Sequence, residues 1–450
     1  MNEHSVNLFF FIFLNFFVLV SAFVNRIGRI WGRIKTWTRP QKKSIEAGKK
    51  DMILLLFLSA VIVLIIWLFT DYTLGKRHFR KTRKQRQYPV RHGDFTVFTC
   101  GENLFPHYFS DILHAKKSIY VLFYIVKNDE ISREFFSLLA KKAREGKEVK
   151  VLLDWAGSRK VTKQMIAQLK NAGVSFAFSN RPKFPFFFYT LQQRNHRKIT
   201  VIDGKTGYLG GFNVGKDYIN GNKSLSPWRD YHFRLTGGSI RDLQEEFIRN
   251  WETATGENMP FETHLSPHEE KSGCRHRIIP TAGDELEHLV CSLIDEARES
   301  IFIGSPYFIP TPAIHKKLVQ ALARGVKVTV LTPDKADHPL VKEAASRYFR
   351  QLLENGADIY LFKPGFYHAK IMIIDRTVCN IGTANFDRRS ARLNFEVNCL
   401  VYDNVFIQKM CAVVKDDMRH AAPLTSDGLN RPGLATRLAE WGVRAIEEFL

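Results

Sequence analysis

The order of apolar and polar positions divides the chain into three regimes. Residues 8–24 form a 17-residue apolar run interrupted only by Asn15 and Ser21, and residues 52–70 form a 19-residue run without a charge. A helix needs about 20 apolar residues to cross a bilayer, so the second run predicts a membrane span, with Trp67 placed for an interface. The first run is shorter and rich in Phe; it spans or lies in the interface. It does not read as a signal peptide, because no Lys or Arg precedes it and no A-x-A site follows. After residue 91 short β-rich runs alternate with helical stretches. Residues 118–121 start a β-rich run, 135–143 read as helix and 149–153 as a continuous apolar strand. Residues 300–303, 318–324 and 326–331 repeat that order. Strand, helix and strand in alternation predict right-handed crossovers and a largely parallel sheet, with 149–153 buried on both faces. At the end of the chain Leu434, Leu438, Trp441, Ile446 and Phe449 fall at helical spacing. They predict an amphipathic helix packed on the protein or on a membrane surface.

Charge sharpens this division. The 450 residues hold 66 Lys+Arg against 45 Asp+Glu, a net +21. Residues 25–50 hold nine Lys/Arg and one acid, and residues 76–91 hold eight and none, so these two stretches supply +16 of the total. A nucleic-acid enzyme spreads its basic residues along a groove. Here they flank the apolar runs instead, as expected for anionic headgroups, and no nucleic acid is expected as partner. The stretch from Arg26 to Lys35 also has the character of a surface-lying amphipathic segment. Six scattered Cys with no C-x-x-C pair read as reduced core thiols and exclude a disulfide scaffold or a cysteine zinc site.

The repeat carries chemistry. Residues 195–213 read NHRKITVIDGKTGYLGGFN and residues 367–385 read YHAKIMIIDRTVCNIGTAN. His196, Lys198 and Asp203 have the same H-x-K-x4-D spacing as His368, Lys370 and Asp375; Gly210 and Gly382 follow their His by 14 positions, Asn213 and Asn385 by 17. His and Lys at i and i+2 share one face of a strand. Two imidazoles and two ammonium groups brought together make a phosphate site: lysines neutralise non-bridging oxygens and asparagines add hydrogen bonds. One His can attack phosphorus while the other protonates the leaving oxygen. Such a scheme needs no metal, and no cofactor is expected. Each half supplies a later acid, Asp230 and Glu396, and an acid there can hydrogen-bond its imidazole and fix the tautomer. Asp203 and Asp375 lie seven residues after their His, over ~20 Å along a strand and on its opposite face. They read as structural ion-pair members. The aromatic run at 185–189 could meet acyl chains at the mouth of the site or pack in a core.

These motifs resemble the phospholipase D superfamily, and within it the bacterial cardiolipin synthases, over about residues 92–420. The resemblance rests on RNHRKITVIDGKTGYLGGFNVGKDY, PWRDYHFRLTG, LQEEFIRNW and HAKIMIIDRTVCNIGTANFDRRSARLNFEV. It implies an α/β chain of two tandem phospholipase D-like α/β/α lobes forming one pseudo-twofold active site, preceded by N-terminal transmembrane helices. The organisation it implies is a membrane region at 1–75, a basic juxtamembrane linker at 76–91, lobes at 92–262 and 276–420, and a tail at 421–450. It places the two H-x-K-x4-D sets in the catalytic centre, with His196 as nucleophile and His368 as general acid/base. Lys198, Lys370, Asn213 and Asn385 would bind phosphoryl oxygens, and Glu396 and Asp230 would orient the histidines. The implied reaction moves a phosphatidyl group from one phosphatidylglycerol to another, giving cardiolipin and glycerol at the cell membrane; the acid-free basic stretch after the second apolar run places the lobes in the cytoplasm. Phospholipase D hydrolysis, another phosphatidyl transfer or nuclease action would use the same motifs. Gly211 stands where many members carry Ser, whereas Thr383 keeps a hydroxyl in the second half.

Overall fold

The computed structural model describes residues 42–83, 86–259, 272–337, 340–425, 429, 434–444 and 446–449. The apolar run at 8–24 and the stretch from Arg26 to Lys35 lie outside the described residues. The chain divides into two compact units, one of Met1–His78 with Pro182–Thr190 and one of Phe79–Arg181 with Leu191–Leu450.

The helix Lys42–Thr82 carries the second apolar run. Among the described residues its stretch Asp51–Thr82 is the one helix long and apolar enough to cross a membrane. Ile53, Leu55, Phe57, Ile62, Ile66 and Phe69 are all exposed, which a core helix would not allow. In the smaller unit the aromatic run takes the packing role. The Tyr189 N–H donates to Asp71 at 2.8 Å, the rings of Phe188 and Tyr189 meet Tyr72, and Phe186 meets His78.

The larger unit is built on two sheets. One has seven strands in the order Phe95–Phe98, His232–Thr236, Thr206–Gly210, Ile199–Ile202, Ser118–Phe123, Glu148–Asp154 and Ser175–Ser179. The other has nine, with Ser300–Gly304, Lys327–Pro333 and Asp358–Phe362 as its counterpart of the last three. Within these two sheets only the strands joined through helices run parallel, two of the six pairings in the smaller sheet. The expectation of a largely parallel sheet is corrected here. The motif strands Ile199–Ile202 and Ile371–Ile374 are joined to their successors by turns of three residues, and so short a link closes an antiparallel hairpin.

The helix Glu130–Arg144 starts at Asp129, whose carboxylate accepts the Ser132 N–H. Its apolar face, Phe135, Phe136 and Leu139, packs with Val121, Val151 and Leu153 on one sheet. The helix Pro312–Ala323, capped by Thr311, covers the other through Leu318 and Ala321. Between the sheets lies a shared core: Leu209 and Phe233 of one and Val397 and Cys399 of the other enclose Phe247, Trp251 and Met410. All six cysteines are free, with Cys379 and Cys399 buried and the others half-buried.

The basic stretch at 76–91 is not simply a cluster awaiting headgroups. Arg80 pairs with Asp284, Arg83 with Glu285, Arg86 with Glu246 and Arg91 with Asp242, at 2.6–3.1 Å. At least four of its eight cations are therefore spent on the protein itself.

Candidate active site

Both histidines line one cleft of about 570 Å³, together with Asn213, Asn385, Tyr124 and Trp228. His196 and Lys198 stand just before the strand Ile199–Ile202, and His368 and Lys370 just before Ile371–Ile374. The expected strand geometry thus begins one residue after each Lys. Both side-chain amines fold back: Lys198 Nζ donates to the His196 carbonyl at 2.7 Å, and Lys370 Nζ to the His368 carbonyl.

Each acid serves the imidazole of the other half. His196 Nδ1 lies 2.9 Å from Glu396 Oε2, and His368 Nδ1 lies 2.5 Å from Asp230 Oδ2. Backbone makes the same exchange twice. The His196 N–H donates to the Phe395 carbonyl at 2.9 Å, and the His368 N–H to the Arg229 carbonyl at 2.6 Å. Each imidazole is thus tied to the residue that precedes its partner acid. A parallel pairing of Trp228–Arg229 with Phe366–Tyr367 and a bridge between Asn195 and Phe395 fix these crossings.

The two acids differ in their surroundings. Glu396 is fully buried and accepts from His196, Thr383 Oγ1, Ser390 Oγ and Asn394 Nδ2. Asp230, equally buried, accepts from the Tyr231 N–H and faces His368. Lys370 Nζ sits 2.6 Å from the same ring nitrogen and 3.7 Å from Asp230. Gly211 explains itself here: a Cβ at that position would lie 2.0 Å from Asp230 Oδ1. The hydroxyl present in the second half as Thr383 has no room in the first.

Burial governs the electrostatics. It lowers the His196 pKa to about 4 against the pull of Glu396, and the His368 pKa to about 3, with Lys370 reinforcing the shift. Both rings are neutral near pH 7, with Nδ1–H directed at a carboxylate and Nε2 carrying a lone pair. Burial also brings Lys198 down to about 7 and Lys370 to about 8, although Glu396 and Asp230 resist. For the acids burial pushes upward, but the neighbouring Lys and His hold Glu396 and Asp230 below the ordinary carboxylate range.

Among the described residues Asp203 and Asp375 form no salt bridge, contrary to the expectation that they are ion-pair members; both bind backbone. Asp203 accepts the backbone N–H groups of Lys116, Lys117 and Ser118, and Asp375 those of Arg298, Glu299 and Ser300. Both occupy left-handed backbone (φ 55° and 49°) at the hairpin turn, where they fasten the turn to the start of the neighbouring strand. Asn213 lines the cleft while its Oδ1 accepts the Ile125 N–H and its Nδ2 donates to Tyr218.

Several residues at the site escape a reading of the repeat. Arg194 pairs with buried Asp154, and Arg197 with buried Glu246 while also donating to the Glu396 carbonyl. Tyr124 presents its ring to His196, and Trp228 to His368. Phe449 lines the cleft, so the tail is not confined to packing. Its carbonyl accepts from Arg389, and Glu447 and Glu448 pair with Arg388 and Arg392. The helix Leu434–Val443 forms as expected, with Trp441 exposed and Val443 buried. The arginines Arg194 and Arg197 flank the first motif as Arg-Asn-His-Arg, but Phe366 and Ala369 stand at the equivalent places in the second. Comparing the two copies discards what only one of them holds.

Known proteins match this chain across both halves. The family model described as cardiolipin synthase, phospholipase D-like domain matches residues 108–230 and 290–418. The minor cardiolipin synthase ClsB of Bacillus subtilis is 38% identical over 397 residues, covering 88% of this chain and 99% of that protein. Cardiolipin synthase 2 of Staphylococcus epidermidis is 36% identical over 353 residues, 77% of this chain and 72% of that protein. In fold, the chain resembles the crystal structure of phosphatidylserine synthase from Haemophilus influenzae, with a TM-score of 0.65 at 17% identity over 84% of this chain and 100% of that one. With two matched segments that each bring one H-x-K motif to a common cleft, the chain belongs to the cardiolipin synthase family with phospholipase D-like domains.

Proposed function

We propose that this chain is a phosphatidyltransferase of cardiolipin synthase type, in which residues 92–262 and 276–420 act as tandem lobes with one shared active site. The observation that carries this reading is the reciprocal pairing of His196 with Glu396 and of His368 with Asp230 around a single cleft. Phosphatidylglycerol supplies the phosphodiester. Lys198, Lys370, Asn213 and Asn385 bind its non-bridging oxygens, and its negative charge favours protonation of the nearby imidazoles. His196 Nε2 attacks phosphorus, and the bond from phosphorus to the departing glycerol oxygen breaks. His368, protonated at Nε2, gives that oxygen its proton, leaving glycerol and a phosphatidyl group on His196. A hydroxyl of a second phosphatidylglycerol then surrenders its proton to His368 and attacks the phosphatidyl group. Cardiolipin forms, and His196 is released. Glu396 and Asp230 hold the Nδ1–H tautomer and stabilise each ring when it gains positive charge.

The helix spanning 52–70 anchors the enzyme in the cell membrane beside its lipid substrates, with the run at 8–24 as a second membrane-associated segment and the lobes in the cytoplasm. The test is to incubate the full chain in liposomes with labelled phosphatidylglycerol and resolve the products. Cardiolipin with an equal amount of glycerol is the expected outcome; phosphatidic acid alone would make water the acceptor and overturn it. Turnover is expected to persist in excess chelator, and loss reversed by a divalent ion would contradict the scheme.

A further inference from the structure

Phe395 joins the two components of the His196 centre. Its N–H donates to the Arg194 carbonyl at 2.8 Å, its carbonyl accepts the His196 N–H at 2.9 Å, and the next residue is Glu396. Any tilt of this residue therefore moves the imidazole and its carboxylate relative to each other. Its ring is held by three groups from distant parts of the chain. The Arg197 guanidinium lies 5.3 Å from the ring centroid and Arg83 5.9 Å, and Phe79 meets it edge-on at 5.7 Å. Phe79 sits in the last turn of the helix Lys42–Thr82, the helix that carries the apolar run, and Arg83 directly follows it. Arg83 is itself stacked against Phe79 and fixed by Glu285 at 2.8 Å, and the Glu285 carboxylate accepts the N–H of Ala282, the strand neighbour of Phe395. Among the described residues these ring contacts have no counterpart at Arg229, the residue that precedes Asp230 in the other crossing; that side chain pairs with Asp417.

We infer that Phe79 and Arg83 are positioning residues for the nucleophile, acting through the Phe395 ring to hold His196 and Glu396 in register. The inference rests on the assignment of His196 as nucleophile. It ties the end of the apolar helix to the chemistry at His196, and first to formation of the phosphatidyl-enzyme, because the ring it grips belongs to the His196 centre. Catalytic groups lose rate steeply when misplaced by a fraction of an ångström to an ångström, whereas lipid binding in the wider cleft is far less sensitive.

The test uses the full chain in phosphatidylglycerol liposomes, with rapid quenching to trap labelled phosphatidyl-enzyme. Phe79→Ala is expected to slow formation of that species about tenfold or more with KM for phosphatidylglycerol unchanged, and Phe79→Tyr to restore most of the rate. In a Glu396→Gln background Phe79→Ala should add little, since both changes act on one pair. A trapping rate equal to wild type, or losses that multiply in the double variant, would overturn the inference. If Phe79→Ala does not accumulate, Phe79→Leu and Arg83→Gln read the same contact, and unchanged rates in both overturn it. A wild-type chain that makes cardiolipin with no trappable phosphatidyl-enzyme would instead overturn the assignment of His196, and this inference with it.

Discussion

The two H-x-K centres are copies in sequence and unequal in surroundings. At His196 the partner carboxylate is saturated by four donors, and the lysine points to a backbone carbonyl away from the ring nitrogen. At His368 the lysine crowds the same nitrogen that faces Asp230. A carboxylate with every lone pair engaged is rigid, which suits a ring that must meet phosphorus along one line. A ring flanked by both a carboxylate and an ammonium has its proton affinity set by two opposed charges, which suits a group that gives and takes protons. The duplication supplied the parts, and the unequal environments match the roles proposed for them.

The largest test of this division removes each ring in turn. His196→Ala should abolish phosphatidyl-enzyme formation and lower turnover by at least about 10⁴-fold. His368→Ala should cost about 10²–10⁴-fold with phosphatidylglycerol. It should lose far less with a diester whose leaving group is an activated phenol, because such a group departs without a proton. Equal losses for both variants on the activated diester would erase the distinction.

The acids separate the centres by pH. Above about 7 to 8 the lysines lose their charge in the empty cleft, so kcat/KM should fall as pH rises through that range. Glu396 raises the Lys198 pKa and Asp230 raises that of Lys370. Both Glu396→Gln and Asp230→Asn should therefore move this alkaline limb to lower pH. A pH profile that either substitution leaves in place would contradict the arrangement.

Smaller effects come from the pair Gly211 and Thr383. Gly211→Ser places a Cβ 2.0 Å from Asp230 Oδ1 and should destabilise by about 1–3 kcal/mol while slowing the proton transfers at His368 in both steps. Thr383→Val removes a 2.6 Å hydrogen bond to Glu396 and should cost about 1.5–3 kcal/mol, read as a shift in the denaturation midpoint. The smallest effect on chemistry is expected at the hairpin turns. Asp203→Asn and Asp375→Asn should each lower stability by about 1–2 kcal/mol through weaker acceptance of three N–H groups, with kcat unchanged. A large fall in kcat at either would return them to the catalytic set.

Much of this was determined by residue order alone. The apolar run at 52–70 dictates a long exposed helix because no packed core accepts such a surface on all sides. The duplicated H-x-K motifs single out the residues proposed to react, because a repeated polar spacing at the start of apolar strands has no use in a core. The helical patterns at 135–143 and 318–324 mark the helices Glu130–Arg144 and Pro312–Ala323, whose capping by Asp129 and Thr311 the structure adds. What residue order left open was every contact across the repeat. Glu396 lies 200 positions from His196 and Asp230 lies 138 from His368, and no local spacing encodes partners so distant. The same holds for the four arginines at 80–91, whose charge reads as headgroup binding until the tertiary fold delivers Asp284, Glu285, Glu246 and Asp242 to them. Local chemistry chooses the side chains. Only the packing of two sheets on a shared core decides which of them come within 3 Å of one another, because that proximity depends on burial summed over the whole unit.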